Sequence, residues 1–418
     1  MSLALFSALF AAQAGLIAMS PVLAQAAADL HVSTAAAGQL RSVAGLAAGL
    51  TALVLSMGAG RVALPRQLLV ASVLLALASL ACAAAPSYAF LALAQIPIGV
   101  AVAGLTTAAT LGAAEWVPSE LRTRTLSWAL IGQPAAWIAG MPLVGLVGAH
   151  NWRYGWLVLP AAAAVAAALL VPRGNATVPS PPAASGAGLV IRDRIVAAWL
   201  GSELMANAAW AGTLVYAGAL FSEVHGTSGP VTGVVLAIGA VAYVAGNLTG
   251  RRLARGDEAR TLVVLAVAAA VADFVFASAD CGILLRALLF SAAGFVVGGR
   301  TLVSNAFALS LPPDRRRAAT SLRASTMQLG YVVGSALGGA ALALQGYPAL
   351  GGVTAALFLG AAVTLGSAVR DRANRPVARR RRARAAADPG AARSRGGDVP
   401  GDGSRRRRAA AQAGHSPA

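Results

Sequence analysis

Two polar stripes, each with one ionisable residue, lie inside strongly apolar stretches of this sequence. Glu203, Asn207 and Trp210 follow i, i+4, i+7 spacing, which places them on one face of a helix. Arg300 and Asn305 form a second, slightly broader stripe. A charge in the hydrocarbon of a bilayer costs about 3 kcal/mol, so such residues mark either a proton or substrate pathway or an ion pair that joins two helices.

No other chemistry is indicated by motif. The sequence has no P-loop, dinucleotide-binding glycine fingerprint, nucleophile triad or metal-ligand spacing. Cys82 and Cys281 are two thiols in a long chain and predict small buried residues, not a disulfide framework. The four histidines are scattered, at His31, His150, His225 and His415. We therefore expect no enzyme, no metal and no cofactor, and the missing P-loop argues against direct ATP drive.

The elements that position the two stripes are membrane helices. Hydrophobic residues make up 57% of the chain, charged residues only 11%, and the mean hydropathy is +0.69. A spanning helix needs about 20 apolar residues, and the absence of period-2 alternation favours helices over a barrel. The twelve predicted spans are 3–24, 35–57, 66–85, 87–111, 125–147, 153–171, 195–221, 230–249, 260–279, 283–308, 320–343 and 347–369.

The net charge of +18 reports membrane topology and does not indicate nucleic-acid binding. Fourteen of the 33 basic residues follow residue 369. Most other arginines lie in alternate connections or at their edges, and the opposite connections hold mainly Arg153. The positive-inside rule then places both termini in the cytoplasm. The topology-marking set is Arg61, Arg66, Arg122, Arg124, Arg173, Arg192, Arg194, Arg251, Arg252, Arg255, Arg260, Arg315, Arg316, Arg317 and Arg323.

Four segments follow from this pattern. Residues 1–171 and 194–369 each hold six spans, and the linker 172–193 is rich in Pro, Gly and Ser. Residues 370–418, rich in Arg, Ala, Gly and Pro, predict a disordered cytoplasmic tail near anionic lipid headgroups.

The second half of the chain repeats the punctuation of the first. Val117-Pro-Ser-Glu-Leu-Arg122 enters the fifth span, and Leu311-Pro-Pro-Asp-Arg-Arg316 enters the eleventh. Parallel six-helix repeats predict two similar bundles related by an axis along the membrane normal, with a binding cavity between them. In this register the matched pairs are Ser127 with Ser321, Gly140 with Gly334, and Gly145 with Gly339.

Residues 1–370 resemble the major facilitator superfamily, especially its drug and sugar efflux branch. The stretch from Met19 to Ser33 and the triplet Asn151-Trp-Arg153 are similar to those exporters. The loop motif after the second span keeps Gly and Arg but lacks the family's Asp, and its second copy, Gly246 to Arg255, is better preserved. Gly132-Gln-Pro and Gly140-Met-Pro-Leu-Val-Gly145 are a loosened antiporter motif.

One departure concerns the fourth span. Related antiporters often carry an arginine there, four residues before a glycine, and Gln95 holds that position before Gly99. The first, fourth and fifth spans thus offer neutral polar residues and no carboxylate. These residues either line a cavity or form helix–helix hydrogen bonds.

The resemblance implies a twelve-helix fold in two pseudo-symmetric six-helix bundles, with the seventh and tenth helices lining the passage. We therefore predict a contact between Glu203 and Arg300, either as a proton- or substrate-linked pair or as a permanent ion pair. The predicted pathway residues are Gln13, Gln95, Gln133, Trp137, Glu203, Asn207, Trp210, Arg300, Asn305, Gln328 and Tyr331. The predicted cytoplasmic gate consists of Gly58, Arg61, Arg66, Gly250, Arg251, Arg252 and Arg255.

Four further ionisable residues have simpler interpretations. Arg41, near the start of the second span, either snorkels outward or acts in a gate. Asp273 and Asp280, with Arg286, are expected to form salt bridges at the outer boundary.

The resemblance implies a secondary transporter of a bacterial inner membrane that works as a monomer and exports a small organic compound, such as a drug, sugar or metabolite, in exchange for protons. Two alternatives stay open: an importer of a polar metabolite, and a membrane sensor on a transporter scaffold.

Overall fold

The protein is described by a computed structural model that covers residues 2–58, 63–116, 121–171, 193–253 and 256–387. In these ranges the chain forms helices joined by short turns, and ten helices are long and apolar enough to cross a membrane. The helices are α1 (Ser2–Asp29, with a 3-10 turn at Ser20–Val22), α2 (Thr34–Gly38 and Leu40–Gly58), α3 (Leu64–Ala83), α4 (Tyr88–Glu115), α5 (Arg122–Leu130 and Gly132–Gly148), α6 (Tyr154–Leu169), α7 (Arg194–His225), α8 (Gly229–Leu253), α9 (Glu258–Ser278), α10 (Ile283–Ser310), and Pro313–Ala387.

The last of these is two helices joined by a sharp break. Gln345 and Gly346 have non-helical backbone angles, and Gly346 has a φ of +75°, which a residue without Cβ adopts at little cost. We name the part before the break α11 and the part after it α12. The break separates the two predicted spans 320–343 and 347–369, so all twelve predicted spans correspond to helices and the predicted fold class is confirmed.

Helix ends are fixed by local side-chain chemistry. Ser87 accepts a hydrogen bond from the Phe90 amide at the start of α4, and Asp193 does the same for Ile195 at the start of α7. At the other end of α7, Gly226 takes a left-handed conformation with a φ of 63°. The start signal at Asp193 and the stop signal at Gly226 set the length of α7, the helix that carries Glu203.

Close packing between helices depends on glycine. A Cβ on Gly246 of α8 would lie 1.9 Å from the carbonyl oxygen of Phe295 on α10, and one on Gly298 would lie 2.0 Å from the carbonyl oxygen of Tyr243. Such contacts are impossible for any larger residue, and small residues are the usual means of helix association in lipid. They hold α10, and with it Arg300, directly against α8.

The two bundles, α1–α6 and α7–α12, meet through the same kind of contact. A Cβ on Gly145 of α5 would lie 2.2 Å from the carbonyl oxygen of Gly229 on α8, and one on Gly218 of α7 would lie 2.0 Å from that of Ser20 on α1. Both contacts lie toward the end of the molecule where α1 ends and α2 begins, which we call the α1–α2 end. Gly145 belongs to the loosened antiporter motif, so its backbone contact gives that motif a structural role.

Replacing Gly145 with alanine should therefore loosen the contact between the bundles. Overpacking costs about 1–3 kcal/mol, and about 1.4 kcal/mol is tenfold in a population, so we expect the state closed at this end to become about tenfold less populated. The measurement is labelling of an introduced Ser42→Cys by a membrane-impermeant maleimide, which should become faster. Gly366→Ala is the matched control because its Cβ would lie 3.7 Å from Val263, an ordinary contact; equal labelling in the two variants would contradict this role.

The predicted linker and the predicted tail are described only in part. Residues 172–192 of the linker lie outside the described residues. Residues 370–418 form a separate unit, in which the final helix continues to Ala387. The first part of the segment expected to be disordered is thus helical, because arginine and alanine are strong helix formers.

Candidate functional site

A cluster of one carboxylate and two guanidinium groups lies among α7, α10 and α11, with Glu203 and Arg300 buried and Arg323 half-buried. Glu203 is 1% exposed. Arg300 Nη1 donates to Glu203 Oε1 at 2.7 Å, and Arg323 Nε donates to Glu203 Oε2 at 2.9 Å. The contact between Glu203 and Arg300 that the sequence predicts is present. The contact of Arg323 corrects a prediction, because this arginine was expected only to mark topology.

Neighbouring polar groups fix the geometry of this cluster. Arg300 Nη2 donates to the hydroxyl of Ser202 at 3.1 Å and to its carbonyl oxygen at 3.3 Å. The Ser304 hydroxyl accepts from Arg323 Nε at 3.2 Å and from Trp199 Nε1 at 3.0 Å. Helix α7 is thereby joined to the consecutive helices α10 and α11 through one carboxylate, and any change in its charge alters contacts of all three.

The signal that identifies Arg323 was available in the sequence. Ten residues of helix separate it from Pro313, so at about 1.5 Å per residue it lies about 15 Å from the start of α11. This depth resembles that of Glu203 on α7. Arginine at a helix edge is also what the positive-inside rule expects, so the depth alone does not reveal which way the side chain points.

The cluster has more positive than negative charge. Glu203 contributes one negative charge, and Arg300 and Arg323 contribute two positive charges, which leaves +1 in a buried place. Arg300 Nε is also buried and has no hydrogen-bond partner in the described part of the chain. Breaking such a buried pair is costly because the remaining charge is uncompensated. Adding a proton to Glu203 would leave two guanidinium groups available for an anion or for solvent.

The other residues of the two polar stripes have different surroundings. The Asn207 amide donates to the Glu203 carbonyl oxygen of its own helix at 2.7 Å. The Trp210 ring stacks on Tyr243 and Phe290, with centroids 6.4 and 6.1 Å apart, and so packs within the second bundle. Asn305 is exposed. Helical spacing placed Asn207 and Trp210 on the face of Glu203, but the neighbouring helices gave them different partners.

The predicted pathway residues of the first bundle lie in different surroundings from one another. Gln95 is 4% exposed and donates to Cys82 Sγ at 3.3 Å. Gln13, Gln133 and Trp137 are half-buried. On α11 of the second bundle, the predicted residues Gln328 and Tyr331 face α2: the Gln328 carbonyl lies 3.8 Å from the position of a Cβ on Gly45, and the Tyr331 ring lies beneath the guanidinium of Arg41.

Arg41 does not snorkel toward the outer boundary. Its Cζ lies 4.5 Å from the centroid of the Tyr331 ring, in a cation–π contact that crosses from the first bundle to the second. The aromatic face supplies electrostatic stabilisation that a lipid tail would not, which is why the side chain turns inward.

The expected salt bridges around Asp273 are also absent from the described residues. Asp273 is 1% exposed and accepts from the Thr213 hydroxyl at 2.8 and 2.7 Å. Arg286 instead donates to the carbonyl oxygens of Phe276, at 3.2 Å, and Ala279. Backbone carbonyls at the end of α9 lack helical donors, so they are available to this guanidinium. Asp280 is exposed.

The predicted cytoplasmic gate is only partly described. Arg66 and Arg252 are exposed, and Gly250 lies against Gly299 of α10. Gly58 ends α2. Arg61, Arg255 and the side chain of Arg251 lie outside the described residues, so a gate at this end stays a prediction.

A polar seal at the α1–α2 end was not predicted. Ser42 Oγ on α2 lies 2.6 Å from Ser335 Oγ on α11, and Gln39 Nε2 donates to the Ser335 carbonyl oxygen at 3.1 Å. The buried Tyr216 hydroxyl on α7 donates to the carbonyl oxygens of Ala35, at 3.3 Å, and Ser335, at 3.0 Å. Short polar side chains in apolar helices carry no charge, so no sequence signal singles them out.

Beside this seal, Glu223 at the end of α7 accepts hydrogen bonds from the first residues of two neighbouring helices. The Thr34 hydroxyl at the start of α2 donates to one of its oxygens, and the Tyr347 hydroxyl at the start of α12 donates to the other at 2.8 Å. The α1–α2 end of the molecule is therefore closed.

The triplet Asn151-Trp-Arg153 has a clear structural role. Trp152 Nε1 donates to Asp29 Oδ2 at 3.0 Å, and the Arg153 guanidinium pairs with the same carboxylate. Arg153 Nη2 also donates to the Ala85 carbonyl oxygen at 3.1 Å. The connection before α6 thus joins the ends of α1 and α3.

Among the described residues, no group of three or more His, Cys, Asp or Glu side chains comes together.

The comparisons with known proteins identify the family of this chain. The family model described as Major Facilitator Superfamily matches residues 5–299, well over half of the chain. The chain belongs to the major facilitator superfamily. Members of this superfamily are secondary transporters, so the protein is a multi-pass membrane transporter of a small-molecule substrate. No curated protein sequence matches the chain.

Solved structures of major facilitator transporters share the fold. A bacterial homolog of the human lysosomal transporter Spinster, inward-facing and unoccupied, aligns with a TM-score of 0.65 and 14% identity over 88% of this chain and 94% of that chain. A variant of the nucleoside transporter NupG aligns with a TM-score of 0.71 and 14% identity over 88% of this chain and 98% of that chain. At this identity the likeness establishes the fold and leaves the substrate open.

Proposed function

We propose that this major facilitator protein exports a small organic compound by alternating access, coupled to proton entry. The observation that carries the proposal is the buried cluster of Glu203, Arg300 and Arg323. An ionisable group inside the membrane-spanning region is costly, so three of them in contact on passage-lining helices indicate a transport role.

Proton coupling follows from the sharing of one carboxylate by two helices. While Glu203 is ionised, it holds α10 and α11 to α7 through Arg300 and Arg323. A proton on Glu203 would remove the charge that both arginines contact, and the three helices would then be free to change their relative positions. Because coupled transport needs two arrangements of this kind, a shared carboxylate is a suitable switch.

The closed α1–α2 end supports an assignment of the conformation. With both termini in the cytoplasm of a bacterial cell, as the arginine distribution favours, the α1–α2 end faces outward. The protein is then in a state closed to the outside, and we propose that the bundles meet near Arg66 and Arg252 in the opposite state. We propose that the transporter works as a monomer, as its two bundles already enclose the passage.

The test is uptake by inverted membrane vesicles that contain the full chain, with a panel of drugs, sugars and organic metabolites. For an exported substrate, an imposed pH gradient, acidic inside, should raise accumulation by about tenfold per unit of pH for one proton exchanged, and a protonophore should abolish the increase. Accumulation that is equal with and without the gradient would contradict proton coupling. Gradient-driven accumulation in right-side-out vesicles alone would make the protein an importer.

The same vesicles distinguish a transporter from a sensor. Deleting residues 372–418 should leave the transport rate close to that of the parent, since these residues follow the last span. A sensor that signals through this basic segment would show no substrate accumulation in either form.

A further inference from the structure

A second buried carboxyl group, Asp273 on α9, lies where three helices of the second bundle meet. Among the residues whose side chains the structure describes, Glu203 and Asp273 are the two buried carboxyl groups. The Thr213 hydroxyl on α7 lies 2.8 Å from Asp273 Oδ1 and 2.7 Å from Oδ2. Thr354 of α12 is buried as well, and its hydroxyl faces the same carboxyl group. Asp273 is thus enclosed by α7, α9 and α12, and the proposed transport mechanism does not use it.

No positive charge compensates Asp273 in the described part of the chain. None of the ion pairs found there includes this residue. Arg286 of α10, the guanidinium at this end of the bundle, is bonded to the carbonyl oxygens of Phe276 and Ala279. The other titratable side chains on this half of the surrounding helices, none of which is hydrogen-bonded to Asp273, are Tyr216, Glu223, His225, Asp280, Cys281 and Tyr347. An ionised carboxylate here would be a buried charge without a counter-charge, which is costly in a region of low dielectric.

The hydroxyl groups around Asp273 fit a neutral acid better than a carboxylate. Thr213 has one hydroxyl hydrogen, and its oxygen also lies 3.2 Å from the Ala209 carbonyl oxygen of its own helix. The Thr354 hydroxyl donates to carbonyl oxygens of its own helix at 3.1 and 3.2 Å. A carboxylate can only accept, and it has room for about four hydrogen bonds. A protonated carboxyl group has an O–H of its own, which can donate to a threonine oxygen and leave both hydroxyl hydrogens to the backbone.

Glu203 and Asp273 therefore have surroundings that favour opposite charge states. Glu203 contacts two guanidinium groups, which favour its ionised form. Asp273 contacts hydroxyl groups, which leave the neutral form as the better fit. Thr213 lies ten residues after Glu203 on α7, about 15 Å along the helix, so the two carboxyl groups are separate sites.

Asp273 is connected to the polar seal through α7. Thr213 lies one turn before Tyr216, whose hydroxyl donates to carbonyl oxygens of both bundles in the seal. Gly218, two residues further, has the close backbone contact with Ser20 of α1. The part of α7 that covers Asp273 is thus held in place by the contacts of the seal, and opening of the seal releases it.

We propose that Asp273 is a second proton-binding site, which takes up a proton from the α1–α2 end before the seal closes and keeps it while the seal is closed. Asp273 lies five residues before the end of α9, about 7.5 Å along the helix, so the path from that end is short. Closing the seal buries the neutral acid. A ligand favours the state that binds it better, so the bound proton favours the closed state and its loss favours opening. This proposal rests on the proposed alternating access and adds a proton site to it.

The first experiment detects the proton directly. Infrared spectroscopy of the purified full chain at neutral pH, in a detergent without carbonyl groups, should show the carbonyl stretching band of a protonated carboxyl group. Asp273→Asn should remove this band. Asp280→Asn is the matched control, because it changes an exposed aspartate just beyond α9, and it should keep the band. A parent protein without the band, or a band that survives in Asp273→Asn, would overturn the proposal.

Isotopic labelling keeps this test decisive if Asp273→Asn fails to fold. Carbon-13 in the side-chain carboxyl group of aspartate should shift the band in the parent protein, and the same label in glutamate should not. Among the aspartates whose exposure the structure describes, Asp273 is the buried one. A band that responds to the glutamate label would assign the proton to a glutamate and overturn the proposal.

The second experiment links the proton to the seal. Labelling of Ser42→Cys by the impermeant maleimide is compared with labelling of the same cysteine in the Asp273→Asn background at each pH, which cancels the reactivity of the thiol itself. The ratio of the two rates should rise with pH, by up to about tenfold per unit of pH for one linked proton, because only the aspartate can ionise and hold the seal open. The Asp280→Asn background should behave like the parent. A ratio that stays constant with pH would show that the proton on Asp273 does not control the seal.

The proton site and the transport function fail separately in this design. The infrared band and the pH-dependent ratio, together with an absence of gradient-driven flux, would refute proton-coupled transport and leave the site on Asp273 intact. Gradient-driven flux in a parent protein without the band would refute the site on Asp273 and leave the proposed function intact.

Discussion

Glu203→Gln should abolish gradient-driven transport and also lower the stability of the purified protein. The substitution keeps the shape of the side chain but leaves the guanidinium groups of Arg300 and Arg323 without their shared carboxylate. Removing one partner of a buried ion pair costs about 3–5 kcal/mol. We expect transport in vesicles to fall at least about tenfold, because each loss of about 1.4 kcal/mol of coupling free energy is a factor of ten. The midpoint of thermal unfolding should also be lower.

A double variant separates coupling from simple structural support. Glu203→Gln combined with Arg300→Gln removes one charge of each sign, so part of the lost stability should return. If the pair only joins α7 to α10, transport should return with stability. If Glu203 couples transport to protons, transport should stay absent at recovered stability.

Two controls complete this test. Glu203→Asp keeps the charge and should retain gradient-dependent transport at a reduced rate, because the shorter side chain stretches both contacts. Parental transport by both Glu203→Gln and Arg300→Gln would show that the cluster has no role in coupling.

Joining Ser42 and Ser335 by a disulfide should stop transport reversibly. The two hydroxyl oxygens lie 2.6 Å apart on α2 and α11, a separation that suits replacement of both residues by cysteine. A covalent bond between the bundles at the closed end would prevent that end from opening, and alternating access requires it to open. Oxidation of the Ser42→Cys, Ser335→Cys protein should reduce transport at least about tenfold, because opening this end requires the two helices to separate. A reducing agent should restore transport.

The single variant Ser42→Cys is the matched control, because it also accounts for the native thiols Cys82 and Cys281. Oxidation should leave its transport unchanged. Full transport by the oxidised double variant, with the cross-link confirmed by mass spectrometry, would show that this end does not open during the cycle.

The helices themselves were predictable because lipid imposes a simple rule on sequence. A span must satisfy its backbone polar groups internally and be apolar over its length, so the spans and their order could be read from composition alone. The depth of Glu203 and Arg300 followed from helical rise, and their contact from the resemblance of the chain to a family in which α7 and α10 line the passage.

The partners of most other polar residues depended on the packing of helices distant in sequence. Arg323 carries the same sequence signal as the arginines that mark topology, yet it contacts Glu203 because α11 turns that face toward α7. Arg41 lies over Tyr331, and Asp273 pairs with Thr213, for the same reason. Periodicity fixes which residues share a face of one helix, but it contains no information about which helix that face meets. The sequence by itself therefore determined that this chain is a membrane protein of two six-helix repeats with charge inside its spans. Only the tertiary structure decided which charges meet, since rotation of each helix about its own axis is set by the close glycine contacts between helices.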